Sequence, residues 1–148
     1  MEYLHQFFSN RIVGVAVMSW AIAQAIKMII DFIQNKKIDL NLALSSGGMP
    51  SSHTSFVTAI MVSVGLKEGF DSTSFAICFV LSMVVMYDAA GVRRAAGRHA
   101  AILNQLIENA EKFGITFDQK LKELLGHTPL QVVAGAILGT VVACAFYK

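Results

Sequence analysis

Four long apolar blocks alternate with polar segments along the chain, and this pattern predicts membrane-spanning helices. The blocks cover residues 12–33, 53–66, 72–92 and 129–147. Three of them match the roughly 20 residues that a helix needs to cross the hydrocarbon core of a bilayer. The second is shorter, so we expect it to begin inside the membrane boundary or to lie in a protein-lined cavity. The chain is therefore predicted to be an all-α integral membrane protein, with four spans in one membrane domain over residues 1–148.

The segment at residues 93–126 is too polar to span a membrane, but its pattern is too regular for a plain loop. Small and apolar residues recur at helical spacing from Ala96 to Ala110, which predicts an amphipathic helix on the membrane surface. We expect Gly114 to end this helix and a capping-box pattern to begin a short second helix at residues 117–125.

Composition also favours a membrane protein, since 55% of the residues are hydrophobic and only 15% are charged. Soluble domains carry about a quarter charged residues. The net charge of +2 is too small to indicate a nucleic-acid partner, so the expected partner is the lipid bilayer. Cys78 and Cys144 lie inside apolar blocks and are expected to pack as small apolar residues.

Basic residues are distributed unequally between the two membrane sides that four spans define. Eight Lys and Arg residues fall on the side that holds residues 34–52 and 93–128, and three fall on the other side. Because cytoplasmic loops carry the excess of Lys and Arg, the first side is predicted to be cytoplasmic in the cell membrane.

Residues 47–53 combine two glycines, a proline, two hydroxyls and a histidine at the start of an apolar block. A glycine such as Gly48 lets backbone N–H groups approach an anion, and a helix N-terminus presents unpaired donors to it. Ser51 and Ser52 add hydroxyl groups, and His53 can transfer a proton near neutral pH. These features predict a phosphate site. The alternative is a capped helix start with a polar histidine at the membrane surface.

Ionisable residues inside apolar spans call for a partner or a function, and here they converge at one membrane level. On the side where the second span begins lie Lys27, Asp88, Arg93 and His127. A phosphate ester would account for this set, because Lys27, Arg93 and the adjacent Arg94 supply positive charge and hydrogen bonds. Two histidines then suffice for covalent catalysis without a metal or cofactor, since one attacks phosphorus and the other protonates the leaving oxygen.

Four sequence runs, taken together, carry a family resemblance. They are GGMPSSH at residues 47–53, YDAAGVR at residues 87–93, Leu103-Asn104, and LGHTP at residues 125–129. The PSSH part is similar to the P-S-G-H motif of the type-2 phosphatidic acid phosphatase superfamily, which includes vanadium-dependent haloperoxidases. The fuller set resembles the small divergent membrane branch of that superfamily.

The resemblance implies roles for individual residues. Lys27 corresponds to the lysine of the first superfamily motif, although no Arg-Pro follows it. His53 corresponds to the general acid of the second motif, in which Ser52 replaces glycine. The third motif, S-R-x5-H-x3-D, supplies a histidine nucleophile and an aspartate that orients it.

Two histidines compete for the role of nucleophile that the resemblance implies. His99 has the spacing from the preceding arginine, but Leu103 occupies its aspartate position. His127 is favoured because it begins an apolar span as the motif demands. Gln131 occupies its aspartate position and, with Thr128, forms a predicted capping box at the start of that span. Without a carboxylate the tautomer of the nucleophile is expected to be poorly fixed. Asp88 could orient the ring from the neighbouring helix, or it could pair with an arginine.

The leading interpretation is a membrane phosphatase that acts on a lipid phosphate or pyrophosphate through a phosphohistidine. The alternative is a catalytically silent phosphatase-like protein that binds anionic lipid or a partner protein, because the Arg-Pro and the aspartate are missing. A small transporter or channel is a third, weaker interpretation. The small residues Gly135 and Gly139 on the last span also predict a close helix-packing face, on which a homodimer could form.

Overall fold

The computed structural model describes residues 1–36, 48–111, 113, 121 and 126–147, and every element in these residues is helical. In chain order the elements are α1 (Glu2–Phe8), α2 (Arg11–Asn35), α3 (Ser52–Glu68), α4 (Thr73–Tyr87), a π-helical turn (Asp88–Val92), α5 (Arg93–Glu111) and α6 (Pro129–Phe146). Gly47 and Gly114 lie outside the described residues. So does the predicted helix at residues 117–125, except for Leu121, which is not helical.

The four predicted apolar blocks correspond to α2, α3, α4 and α6, with bounds that differ by only a few residues at most ends. Within the described part of the chain, three helical runs are long and apolar enough to cross a membrane, namely Arg11–Asn35, Thr73–Ala110 and Pro129–Phe146. Helix α3 has 17 residues and is shorter than these. The prediction of an all-α membrane protein is confirmed, with three candidate spans.

The predicted boundary at residue 92, between the third span and the surface helix, is not a break in the helix. Helix α4 passes through the π-helical turn into α5, so Thr73–Ala110 is one continuous run. No proline or capping side chain interrupts the sequence DAAGV, and the backbone ladder continues there with a wider turn. Helix α5 is amphipathic, as predicted, with Gly97, Ala100 and Asn104 buried on one face.

Helix α3 lies at the centre of the bundle, where it contacts α2, α4 and α6. Its buried side chains are mostly small or hydroxyl-bearing, and the hydroxyls Ser19 Oγ of α2 and Ser55 Oγ of α3 are 2.6 Å apart. Large apolar side chains instead face outward, as Ile77, Val80 and Val84 do on α4. Small or polar residues inside and bulky apolar residues outside are the arrangement expected of helices packed within lipid.

The glycine face of α6 packs against α3 within the same chain. A Cβ atom on Gly135 would collide with the carbonyl oxygen of Ser51, and one on Gly139 would collide with that of Ser55. These glycines therefore bring two helices of one chain into close contact, and they do not offer the face on which a homodimer was predicted. The homodimer itself stays a prediction.

Candidate functional site

The loop before α3 rests directly on a buried lysine. Gly48 has a φ angle of +87°, in the left-handed region that glycine adopts readily. A Cβ atom at Gly48 would lie 2.9 Å from Cγ of Lys27. Lys27 is only 1% exposed, so its methylene stem runs beneath the loop. Glycine is required here for two reasons, the backbone conformation and the space that the lysine occupies.

The two serines of the PSSH sequence, Ser51 and Ser52, are both buried at the start of α3. Ser51 is the N-cap residue, and its Oγ accepts hydrogen bonds from the Thr54 backbone N–H at 3.4 Å and from Thr54 Oγ1 at 3.0 Å. The Ser51 hydroxyl therefore serves the helix cap. Ser52 is the first residue of α3, and His53, which follows it, is exposed.

The π-helical turn brings Asp88 and Arg93 together. Arg93 Nε lies 2.7 Å from Asp88 Oδ2. Residues five apart point to different sides of an α-helix, but a π turn, in which each bond spans five residues, brings them nearly onto one side. The structure thus selects the arginine pairing for Asp88, and this carboxylate does not contact the His127 ring. The two side chains are 40% and 46% exposed.

The same turn provides the attachment point for the chain that returns to α6. The Arg93 N–H donates to the Asp88 carbonyl, one residue further back than in an α-helix, and the Ala89 carbonyl accepts from the His127 N–H at 2.8 Å. Gly126 permits this approach, because a Cβ atom there would collide with the backbone nitrogen of Arg94. His127 is held 2% exposed at this junction.

Helix α6 begins with the capping box that the sequence predicts. The Gln131 N–H donates to Thr128 Oγ1 at 3.4 Å, and the Thr128 N–H donates to Gln131 Oε1 at 3.0 Å. The same Oε1 lies 3.1 Å from Nδ1 of His127. One glutamine side chain therefore completes the cap and contacts the histidine.

This contact defines the tautomer of neutral His127. A backbone N–H can only donate, so the Gln131 atom that receives the Thr128 bond is the amide oxygen. An amide oxygen can only accept, so Nδ1 of His127 must carry the proton and Nε2 must carry the lone pair. The expectation of a poorly fixed tautomer is corrected, because Gln131 supplies the acceptor that the missing aspartate would have supplied.

The Nε2 atom of His127 is buried and forms no hydrogen bond with any residue that the structure describes. Buried ring nitrogens are usually paired, so an unpaired lone pair marks a position where a ligand is expected.

Through its backbone, Gln131 also connects the segment that holds His127 to the segment that holds His53. Its carbonyl oxygen accepts from the Ser51 N–H at 3.0 Å, while its side chain holds His127. The start of α3 and the start of α6 are thereby joined at one residue, although they are distant in sequence.

Burial lowers the pKa of His127 below its usual value of 6.5. The hydrogen bond to Gln131 opposes this shift, and the positive charges of Lys27 and His53 lower the pKa further. The Gly48 backbone has the smallest effect on this pKa and raises it. His127 therefore stays neutral, with a usable lone pair, to lower pH than a free histidine.

The structure brings most of the predicted site residues into one electrostatic neighbourhood. The charge of Lys27 acts on both His53 and His127, and the Arg93–Asp88 pair acts on His53. His99 and Arg94 are exposed on α5, and within the described part of the chain no hydrogen bond or ion pair joins their side chains to this cluster. The positive charge of this cluster suits it to an oxyanion, while the unprotonated Nε2 of His127 is available to an electrophile and the exposed imidazole of His53 to proton exchange.

Three contributions to the site were not predicted from the sequence. The acceptor role of Gln131 had a partial signal, since a capping box turns this side chain back toward Thr128 and thus toward the adjacent His127. The Ala89 carbonyl and the close contact at Gly126 had none, because both depend on where the returning chain meets the π turn.

Comparison with known proteins gives a family and a relative for this chain. A family model described as the Divergent PAP2 family matches residues 8–142. The chain is 42% identical over 128 residues to the uncharacterized membrane protein YuiD of Bacillus subtilis (strain 168). This alignment covers 79% of the present chain and 81% of the relative. No solved structure matches the chain. The family match includes every residue of the cluster.

Proposed function

Because the chain belongs to the Divergent PAP2 family, we propose that it is a membrane-embedded phosphatase that hydrolyses a lipid phosphate or pyrophosphate. The observation that carries the proposal is the buried, unpaired Nε2 of His127. Its lone pair is defined by the Gln131 contact on the opposite side of the ring, and it lies in the field of Lys27 and His53. A nucleophile held in this way matches covalent phosphoryl transfer.

In the proposed reaction His127 Nε2 attacks phosphorus, the N–P bond forms, and the bond from phosphorus to the leaving oxygen breaks. Protonated His53 gives its proton to that oxygen and becomes neutral. Water then attacks phosphorus, its proton passes to His53, and the N–P bond breaks to release phosphate and the starting enzyme. Proton transfer by a positioned histidine typically contributes about 10²–10⁴-fold to the rate.

Positive charge is the second requirement of phosphoryl transfer, which depends mainly on positioning and electrostatic stabilisation. Lys27 supplies it from beneath Gly48. Arg93 supplies it from the π-helical turn, where Asp88 holds its guanidinium. Arg94 is proposed to contact the anionic lipid headgroup from the exposed side of α5.

We also propose that α3 crosses the membrane as a fourth span, although it is short, because its protein neighbours cover it on several sides. The site then lies on the cytoplasmic side, where basic residues are in excess. Labelling of a Lys36→Cys variant, made in a background without Cys78 and Cys144, tests this orientation. Modification only by a reagent outside the cell would reverse it.

A second candidate function is a silent phosphatase-like protein that binds anionic lipid or a partner protein. One observation favours it, namely that Gln131 is uncharged where the superfamily motif has aspartate, so no carboxylate stabilises an imidazolium at His127.

Phosphate release from a panel of lipid phosphates and pyrophosphates by the purified protein separates the two functions. We expect His127→Ala to abolish release and His53→Ala to slow it strongly, while His99→Ala, the matched control, leaves it unchanged. A transient acid-labile phosphoprotein, lost only in His127→Ala, would identify the intermediate. No turnover on any substrate would favour the silent protein, and loss of turnover in His99→Ala alone would move the nucleophile to that residue.

A further inference from the structure

An apolar groove runs along the outside of the bundle between α2 and α6. Its volume is about 360 Å³, and all of its lining side chains are apolar. The residues that define its direction are Ile26 and Ile30 of α2, Met49 and Pro50 of the loop, and Ala134 and Val141 of α6. From Ala134 to Val141 the groove extends about 10 Å along α6, at 1.5 Å per helical residue.

One end of this groove is formed by the loop at residues 48–51 before α3, which we call the phosphate loop. Met49 and Pro50 follow immediately after Gly48, which lies on Lys27 and near the His127 ring. A molecule with its phosphate at Gly48 and a hydrocarbon chain in the groove would place each part in a matching environment. This continuity distinguishes the groove from an ordinary lipid-facing depression.

We propose that the groove holds the hydrocarbon chain of the substrate, and that this chain is joined directly to the phosphate, as in a prenyl or alkyl phosphate. The inference rests on the proposed function. The ester carbonyls of a glycerolipid would lie beside Met49 and Pro50 without hydrogen-bond donors from the groove, which disfavours that class. Since surrounding lipid is as apolar as the groove, the groove contributes orientation of the phosphate more than affinity.

A neighbouring groove provides the internal control. It has a volume of about 340 Å³, lies between α6 and the pair α3 and α4, and shares Ile137 and Val141 with the first groove. Its lining includes Ala136, Met86 and Thr58 but no residue of the phosphate loop. A chain in this second groove would therefore not be continuous with the loop.

The test compares Ala134→Phe, which fills the first groove, with Ala136→Phe, which fills the second. Both alanines are partly buried on α6 and gain the same ring, so any general effect on folding is matched. The substrates are farnesyl phosphate, dioleoyl phosphatidate and the chainless p-nitrophenyl phosphate. We expect Ala134→Phe to lower kcat/KM for farnesyl phosphate about tenfold or more, because a misplaced phosphate reacts slowly. Hydrolysis of p-nitrophenyl phosphate should be unchanged in both variants, and Ala136→Phe should leave farnesyl phosphate turnover unchanged.

Equal losses in the two variants, or a parent protein that prefers phosphatidate to farnesyl phosphate, would overturn the inference. Failure of the proposed function gives a different result, namely no phosphate release from any of the three substrates. In that case thermal unfolding with farnesyl phosphate decides the role of the groove. If farnesyl phosphate raises the melting temperature of Ala136→Phe but not of Ala134→Phe, the groove binds the hydrocarbon chain. If it raises the melting temperature of both variants equally, the groove does not bind the chain.

Discussion

Replacing Gln131 tests the central geometric feature of the site. Gln131→Met keeps the length of the side chain but removes the acceptor oxygen that receives the Thr128 N–H and the His127 Nδ1–H. Gln131→Glu is the matched control, because it keeps an oxygen at that position and adds a charge. If Gln131 positions the nucleophile, the two variants will differ in rate and in the state of the His127 ring.

The expected magnitude follows from burial. Thr128 is exposed, so water can replace its lost bond, whereas His127 is 2% exposed and its Nδ1–H has no second acceptor among the residues that the structure describes. An unsatisfied buried donor costs about 1–3 kcal/mol. The ring can avoid this cost by moving its proton to Nε2, which removes the lone pair from the reacting position. At 1.36 kcal/mol per tenfold, the corresponding loss in rate is about 5- to 150-fold.

The assay combines phosphate release with ¹⁵N NMR of histidine-labelled protein. In the parent we expect a protonated Nδ1 and an unprotonated Nε2 on His127, and in Gln131→Met we expect the other tautomer to gain population. Gln131→Glu should keep the parent tautomer. Its carboxylate should raise the pKa of His127, so the acid limb of its rate profile should lie at higher pH than in the parent.

Two results would refute this reasoning. The first is a parent protein in which Nε2 of His127 carries the proton at neutral pH. The second is a Gln131→Met variant with the rate and tautomer of the parent, which would reduce Gln131 to a helix cap.

Three further predictions concern pH and stability. Burial lowers the pKa of His127, so the unfolded chain binds a proton at this residue before the folded protein does as pH falls below about 6.5. Thermal unfolding should therefore show that this contribution to stability is present above that pH and partly lost below it. The His127→Phe variant should lose less stability over the same pH range. Gly135→Ala should destabilise the protein by about 1–3 kcal/mol through overpacking, whereas Gly14→Ala, with no atom within 4 Å of the added Cβ, should not; equal melting temperatures would contradict the close α3–α6 contact. Asn104→Leu removes hydrogen bonds of 2.7 and 2.9 Å to the Leu121 backbone and should lower the free energy of unfolding by about 1–3 kcal/mol, measured by urea titration. The exposed neighbour variant Gln105→Leu should change this free energy little.

Much of the helical pattern was readable from the sequence because it depends on local chemistry. The apolar blocks located α2, α3, α4 and α6, since contiguous apolar residues specify a membrane helix without reference to neighbours. The capping box at Thr128 and Gln131 was also readable, because both partners lie within one helical turn.

The π-helical turn was not readable from the sequence. The sequence DAAGV contains no helix-breaking proline, and a wider turn there is stabilised by contacts distant in sequence, such as the Ala89 carbonyl with the His127 N–H. The packing partner of the glycine face of α6 was also not readable from the sequence. Its spacing indicated close packing, but only the arrangement of helices decided that the packing partner was α3 and not a second chain.

The sequence by itself determined that the protein is a helical membrane protein, and it supplied the candidate residues for a phosphate site. Composition and periodicity identify membrane helices because the free energy of transferring a helix into lipid is close to a sum of contributions from its individual residues. Tertiary structure decided which of those residues meet. It joined the Ser51 N–H to the Gln131 carbonyl, tied the His127 N–H to the Ala89 carbonyl, and left His99 exposed, because hydrogen bonds between separate segments depend on how the helices pack.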